Sequence, residues 1–172
     1  MVISNCAITL SDAEVIRPCV MSKDSSIFKK TKQYHTGLDI VAENLVAAYR
    51  GRIVYIGNET SGRTVVLQTG SSFCVCYKHL KTVTVNLNDL LEKYYLVGIA
   101  DKYVHVEVYT RDKSIWPVRI GNDTWYKQDA NLLFNGGLDR LDMYAYQQEY
   151  NFDIDEDISD LSDTIMSNSG GE

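Results

Sequence analysis

The sequence predicts a mainly β domain, a compact antiparallel sheet or sandwich with a short helical C-terminal extension. Three observations predict it. Strand-like runs rich in Val, Ile, Tyr and Thr recur between residues 52 and 110. Turn-forming clusters separate them: G-N-E-T-S-G at 57–62, T-G-S-S at 69–72 and N-L-N-D at 86–89. Apolar residues then switch to helical spacing at Leu138, Leu141, Tyr144 and Ala145.

The elements follow in order. R-I-V-Y-I at 52–56 reads as a first strand ending at Gly57, and R-T-V-V-L-Q-T at 63–69 as a second ending at Gly70. Residues 72–80 form a third strand, 82–85 a short fourth and 102–110 a fifth. Residues 88–95 suit a single helical turn with Asn88 or Asp89 near its start. Residues 115–118 (I-W-P-V) read as strand or extended loop, and Trp125, Leu132, Leu133 and Phe134 as apolar residues folding back on the sheet. A short helix is expected over 138–150.

The chain has 172 residues, 45% of them hydrophobic, enough for one domain with a real core. Residues 1–150 are read as that single domain and 151–172 as an acidic flexible tail. The tail holds 7 of the 23 acidic residues and no Lys or Arg. Its Ile154, Ile158, Leu161 and Ile165 suit a transient amphipathic turn. The tail is either a solvated end or a docking segment for other proteins of a larger assembly. The rest of the chain is close to neutral, so no basic face for nucleic acid is expected. No apolar run approaches the roughly 18 residues of a spanning helix, and the N-terminus does not read as a signal peptide. Synthesis in the cytoplasm is expected, with action outside the cell needing another route of delivery. Lys29, Lys30 and Lys32 read as a solvated loop, with contact to an acidic polymer as the alternative.

Cys6, Cys19, Cys74 and Cys76 are expected to be buried free thiols. Cys74 and Cys76 share one strand face, and C-x-C matches no common C-x-x-C zinc pair.

The chain has three histidines, His35, His79 and His105. In H-T-G-L-D, extended backbone puts His35, Gly37 and Asp39 on one face, with no side chain between the two polar ones. In Y-V-H-V-E-V, Tyr103, His105 and Glu107 share a face while Val104, Val106 and Val108 point to the core. Were the two segments neighbours, two imidazoles and a carboxylate would converge, leaving a fourth position open, as at a catalytic zinc. Taken singly, a histidine in a strand is more often a surface or satisfied interior residue.

H-T-G-L-D-I at 35–40, the apolar Val46-Ala47-Ala48 leading to R-G-R-I-V-Y-I-G at 50–57, then Y-K-H-L at 77–80 and V-H-V-E-V at 104–108 resemble the lysostaphin/LytM-type zinc endopeptidases. Order, spacing and strand context agree over about residues 34–110, and 125–134 resembles that family's terminal stretch. The resemblance implies a compact antiparallel β fold, a duplicated hybrid motif with a groove across the sheet. It implies Zn2+ held by His35, Asp39 and His105, and His79 lining the site to stabilise an oxyanion. It implies hydrolysis of peptide bridges or stems in bacterial peptidoglycan. The chain departs from the family at Tyr103, where H-x-H has its first histidine. A phenol, with an ordinary pKa near 10, is a poor base at neutral pH. Tyr103 is expected to donate a hydrogen bond to the oxyanion while His79 handles the proton. The alternative is a catalytically impaired module that binds wall peptide or serves a structural role. L-E-K-Y-Y-L-V-G at 91–98 replaces a glycine-containing stretch of the family. A third relation, to phosphocarrier domains of sugar-uptake systems, fits the Y-K-H-L and V-H-V-E-V pair poorly.

Overall fold

The computed structural model describes residues 8–9 and 13–130 and the backbone of 2–3 and 164–166. One long strand organises it. β9 (Leu96–Thr110) pairs with β7 (Phe73–Val83) over residues 98–100 and 105–110. Its other edge is shared by three shorter strands: β4 (Asn44–Val46), β3 (Leu38–Val41) and β11 (Asp123–Gln128). β6 (Gly62–Thr69) and β5 (Gly51–Glu59) continue the sheet beyond β7, and β8 (Leu90–Leu91) closes that side. β2 (Ala13–Arg17) and β1 (Val2–Ile3) continue it beyond β3, and β10 (Pro117–Ile120) pairs with β11. All of these pairings are antiparallel; β12 (Thr164–Met166) runs parallel to β10.

The mainly β, antiparallel expectation is met, and several boundaries move. The expected strands at 72–80 and 82–85 are one strand, β7, interrupted by register shifts at His79 and Lys81. β9 begins at Leu96, not at residue 102. The single helical turn expected over 88–95 is absent. Leu90–Leu91 pairs with β5 instead, between turns in which Asn88 and Tyr94 take left-handed φ of 72°. The Asp89 carboxylate there accepts from the Asn86 N–H at 2.8 Å, a turn contact that competes with helix. Lys29 and Lys30 lie in the last turn of a helix, α1 (Ser26–Thr31), not in a loop; both are exposed. The Ser25 side chain caps that helix by accepting from the Phe28 N–H, and Lys32 ends it at φ 61°. The apolar stretch 132–134, the helix over 138–150 and all of the acidic tail except 164–166 lie outside the described residues. Among the described residues no helix is long and apolar enough to cross a membrane.

Alternation along β9 and its neighbours gives the sheet two different faces. Val104, Val106 and Val108 enter the main core with Leu38, Ile40, Val75, Tyr77, Val65 and Leu67, all fully buried. Burying side chains of this size contributes about 1.5–3 kcal/mol each. Tyr77 is tolerated there because its hydroxyl donates to the Val46 carbonyl at 3.0 Å and accepts from the Ala48 N–H at 3.1 Å. The opposite face carries a smaller core of Tyr55, Val66, Cys74, Cys76, Tyr109, Val118 and Trp125 under the β10–β11 hairpin. Trp125 does fold back on the sheet, but from within strand β11.

Cys19, Cys74 and Cys76 are free and buried; Cys6 lies outside the described residues. Burial pushes all three thiols up, Cys76 to about 12. A Cys6→Ser chain is therefore expected to leave its three thiols unreactive toward a disulfide reagent at pH 8 until denaturant is added. Stoichiometric labelling of the folded chain, followed by absorbance, would contradict this packing.

Candidate metal centre

The site lies on the face opposite the main core, where β3 meets β9. Asp39 and His105 are direct cross-strand partners in that pairing. The Asp39 Oδ1 to His105 Nδ1 distance is 2.7 Å. His35 precedes β3 and is held by a two-way backbone bridge to Val20. Its Nε2 is 3.4 Å from Asp39 Oδ2. His35 and Asp39 are fully buried and His105 is 1% exposed. One ligand atom from each residue falls in a group with all separations within 4.8 Å, compact enough to surround one cation.

Close approach depends on Gly37. A Cβ there would lie 2.5 Å from the Val106 carbonyl oxygen and 2.7 Å from His105 Nε2. Any other residue would push the two segments apart.

The ring nitrogens are sorted by their partners. His35 Nδ1 is 2.8 Å from the Pro18 carbonyl oxygen, a bond that needs the hydrogen on Nδ1 and turns Nε2 toward Asp39. His105 presents Nδ1 to Asp39, and its Nε2 is 3.5 Å from Glu107 Oε1. Two imidazole nitrogens and a carboxylate facing a common centre form a donor set suited to zinc, with room for a further ligand. Arg17 on β2 stands cross-strand from Asp39, its guanidinium 3.5 Å from Oδ2.

His79 sits in the bulge of β7 with φ 68°. The left-handed turn takes His79 out of the regular ladder, and β6 passes close behind it. A Cβ on Gly62 would lie 3.0 Å from His79 Cα. His79 is half-buried, and its Nε2 is buried with no hydrogen-bond partner among the described residues. The His79 ring is 5.8 Å from that of His105 and 5.3 Å from that of Tyr103. His35 and His105 rings are 5.0 Å apart. The structure thus brings together all five residues singled out by sequence: His35, Asp39, His79, Tyr103 and His105.

Four participants carried no such signal. Arg17 and Pro18 lie in an N-terminal segment whose pattern pointed to no site. Lys78 and Lys127 surround Glu107, with Nζ atoms 2.9 Å from Oε1 and 3.1 Å from Oε2. Glu107 itself was legible only as a residue sharing the His105 face.

A model of peptidase family M23 matches residues 33–117, a stretch that contains these five residues. The chain carries a domain of peptidase family M23. The fold of this M23 domain is similar to that of lysostaphin, the antimicrobial peptidase from Staphylococcus simulans, with a TM-score of 0.53 at 17% identity over 70% of this chain and 50% of that one. It is also similar to a zinc-containing peptidase from Vibrio cholerae (TM-score 0.51, 16% identity, 68% of this chain and 35% of that one). A third structure with the fold is the SpoIIQ–SpoIIIAH pore-forming complex (TM-score 0.51, 14% identity, 69% and 85%). The chain thus spans half of lysostaphin and about a third of the Vibrio peptidase. No curated protein matches it by sequence.

Electrostatics keep the acids of the M23 site ionised. Burial works to raise the Asp39 carboxyl, but the neighbouring imidazoles of His105 and His35, 2.7 and 3.4 Å from its oxygens, hold it well below its ordinary 3.8. Burial likewise opposes ionisation of Glu107, and the Lys78 and Lys127 ammoniums outweigh it, keeping the carboxyl well below 4.5. A carboxyl with a depressed folded pKa contributes stability that is complete above its unfolded value and is lost as pH falls through its folded value. With chelator present to remove any contribution from metal, Tm should therefore fall steadily below about pH 4.5. Asp39→Asn should flatten part of that acid limb. A Tm independent of pH down to about 3 would contradict the ionised state of both acids.

Proposed function

We propose that this M23 domain is a zinc-dependent endopeptidase acting on the peptide stems or cross-links of bacterial peptidoglycan. The observation that carries the reading is the convergence of His35, Asp39 and His105 in one buried donor group, bordered by His79 and Tyr103. Zinc bound there would supply Lewis acidity, polarising the scissile carbonyl and acidifying water. The chain's residues supply the rest. His35 is oriented by the Pro18 carbonyl, which engages its Nδ1 and leaves Nε2 for the metal. His79, whose Nε2 is buried without a hydrogen-bond partner among the described residues, would accept a proton during attack and return it to the leaving amine. Tyr103 donates its phenolic hydrogen to the oxygen that becomes negative. Delivery to the wall as a virion or phage-tail component, with the acidic segment 151–172 as docking element, belongs to this proposal.

The second reading is a wall-peptide-binding or structural module, and Tyr103 in place of the usual base favours it. The same fold occurs in a pore-forming complex, so it serves assemblies as well as peptidases.

Purified chain is expected to retain one zinc and to release free amines from Gram-positive peptidoglycan, with a chelator abolishing release and added zinc restoring it. His35→Ala should lose the metal; full zinc occupancy in that variant would remove it from the ligand set. Tyr103→His should raise turnover, in the range of about 10²–10⁴ that general acid–base catalysis typically contributes. Zinc-loaded chain and Tyr103→His variant that both leave peptidoglycan intact but retain it in a pull-down would establish the binding module.

A further inference from the structure

On the side of His105 away from Asp39 lies a second group of buried charges. Glu107 and Lys127 are fully buried and Lys78 is 6% exposed. Glu107 Oε1 is 2.9 Å from Lys78 Nζ and 3.5 Å from His105 Nε2, while Oε2 is 3.1 Å from Lys127 Nζ. Lys127 Nζ also donates to the Thr36 hydroxyl at 3.4 Å, beside His35 in the chain. Residues of β7, β9 and β11 therefore meet on one carboxylate, and Lys127 links it to the approach to β3.

Filling this space with charge is a poor way to gain stability. Buried ion pairs are commonly no more stabilising than well-packed apolar side chains of the same volume. The geometry indicates another use. An imidazole can present only one nitrogen to a cation while the other is engaged elsewhere. In His105 Nδ1 is 2.7 Å from the Asp39 carboxylate, and Nε2 is 3.5 Å from Glu107 Oε1. An acceptor at Nε2 keeps the hydrogen there and leaves the Nδ1 lone pair for the metal. The two ammoniums approach different oxygens, so they fix both the position and the plane of the acceptor.

We propose that Glu107, clamped by Lys78 and Lys127, is a positioning residue that selects Nδ1 of His105 as the metal-binding nitrogen. β11, which follows the 33–117 stretch matched by the family model, then belongs to the metal centre through Lys127. The inference rests on the zinc reading above.

The test is zinc affinity of the full chain, measured by competition with a chromophoric chelator, together with the imidazole nitrogen shifts of His105 in the zinc-loaded protein. Glu107→Gln is expected to weaken zinc about tenfold, and the charge-balanced pair Glu107→Leu with Lys127→Met up to about 100-fold, the range usual for groups that orient a ligand. Both should disturb the His105 Nε2–H signal and leave that of His35 Nδ1–H in place. Lys127→Met alone should weaken zinc in the same direction. The double substitution removes opposite charges together, so it keeps the test open if Glu107→Gln fails to fold. A folded double variant with wild-type zinc affinity and unchanged His105 shifts would overturn the positioning role alone. A wild-type chain that takes up no zinc would overturn the metal reading as well.

Discussion

The β3–β9 register is the constraint on which the site depends. Asp39 faces His105 because Leu38 pairs with Val106 and Ile40 with Val104. A slip of one residue would turn Asp39 into the apolar core and bring a core residue to the site face. The register is held from both sides. Leu38, Ile40, Val104 and Val106 are fully buried on the core face, so the hydrophobic effect resists the slip. Gly37 is held against the Val106 carbonyl, which tolerates no side chain there. The ligand group thus needs no interaction of its own to assemble; it inherits its geometry from the packing behind it.

A two-faced sheet explains how so many charges can be dry. Asp39, His105, Glu107, Lys78 and Lys127 would each be costly to bury alone. They are buried as a connected set, with the two acids lying among the imidazoles, Arg17, Lys78 and Lys127. The β10–β11 hairpin completes this arrangement. It covers Cys74, Cys76 and Tyr109 with Trp125 and Val118, and in the same stroke carries Lys127 under Glu107. Packing and electrostatics on that face are therefore not separable, because the hairpin that excludes water also brings the counter-charge.

Much of this was legible in the chain. A period of two in Y-V-H-V-E-V separates core valines from site residues correctly at every position. H-T-G-L-D puts His35 and Asp39 on one face about a glycine whose lack of a side chain the structure requires. What was not legible depends on contacts distant in sequence. Lys127 reads as one charge in a polar strand, and nothing local indicates that its ammonium lies beneath Glu107. The Pro18 carbonyl is backbone, so no residue type announces it. β7 looked like two strands because residues 78–82 break the ladder, and the break is the bulge that carries His79. The turn over 88–95 looked helical because its spacing allows a helix; pairing of Leu90–Leu91 with β5 decided otherwise.

The irregularity at His79 also separates two tasks. In the β7–β9 ladder Lys78 faces His105 while Leu80 faces Ala100, so His79 alone stands opposite the stretch 101–104. Both strands leave regular pairing there, and His79 and Tyr103 meet across the gap. They are half-buried, whereas His35, Asp39 and His105 are almost completely enclosed. Groups that hold a cation gain from a dry, rigid setting in which their charges are poorly screened. Groups that move protons need a path to water. The regular part of the ladder places the first kind and its break places the second, so the bulge that interrupts the strand is where holding a metal gives way to acting on a substrate.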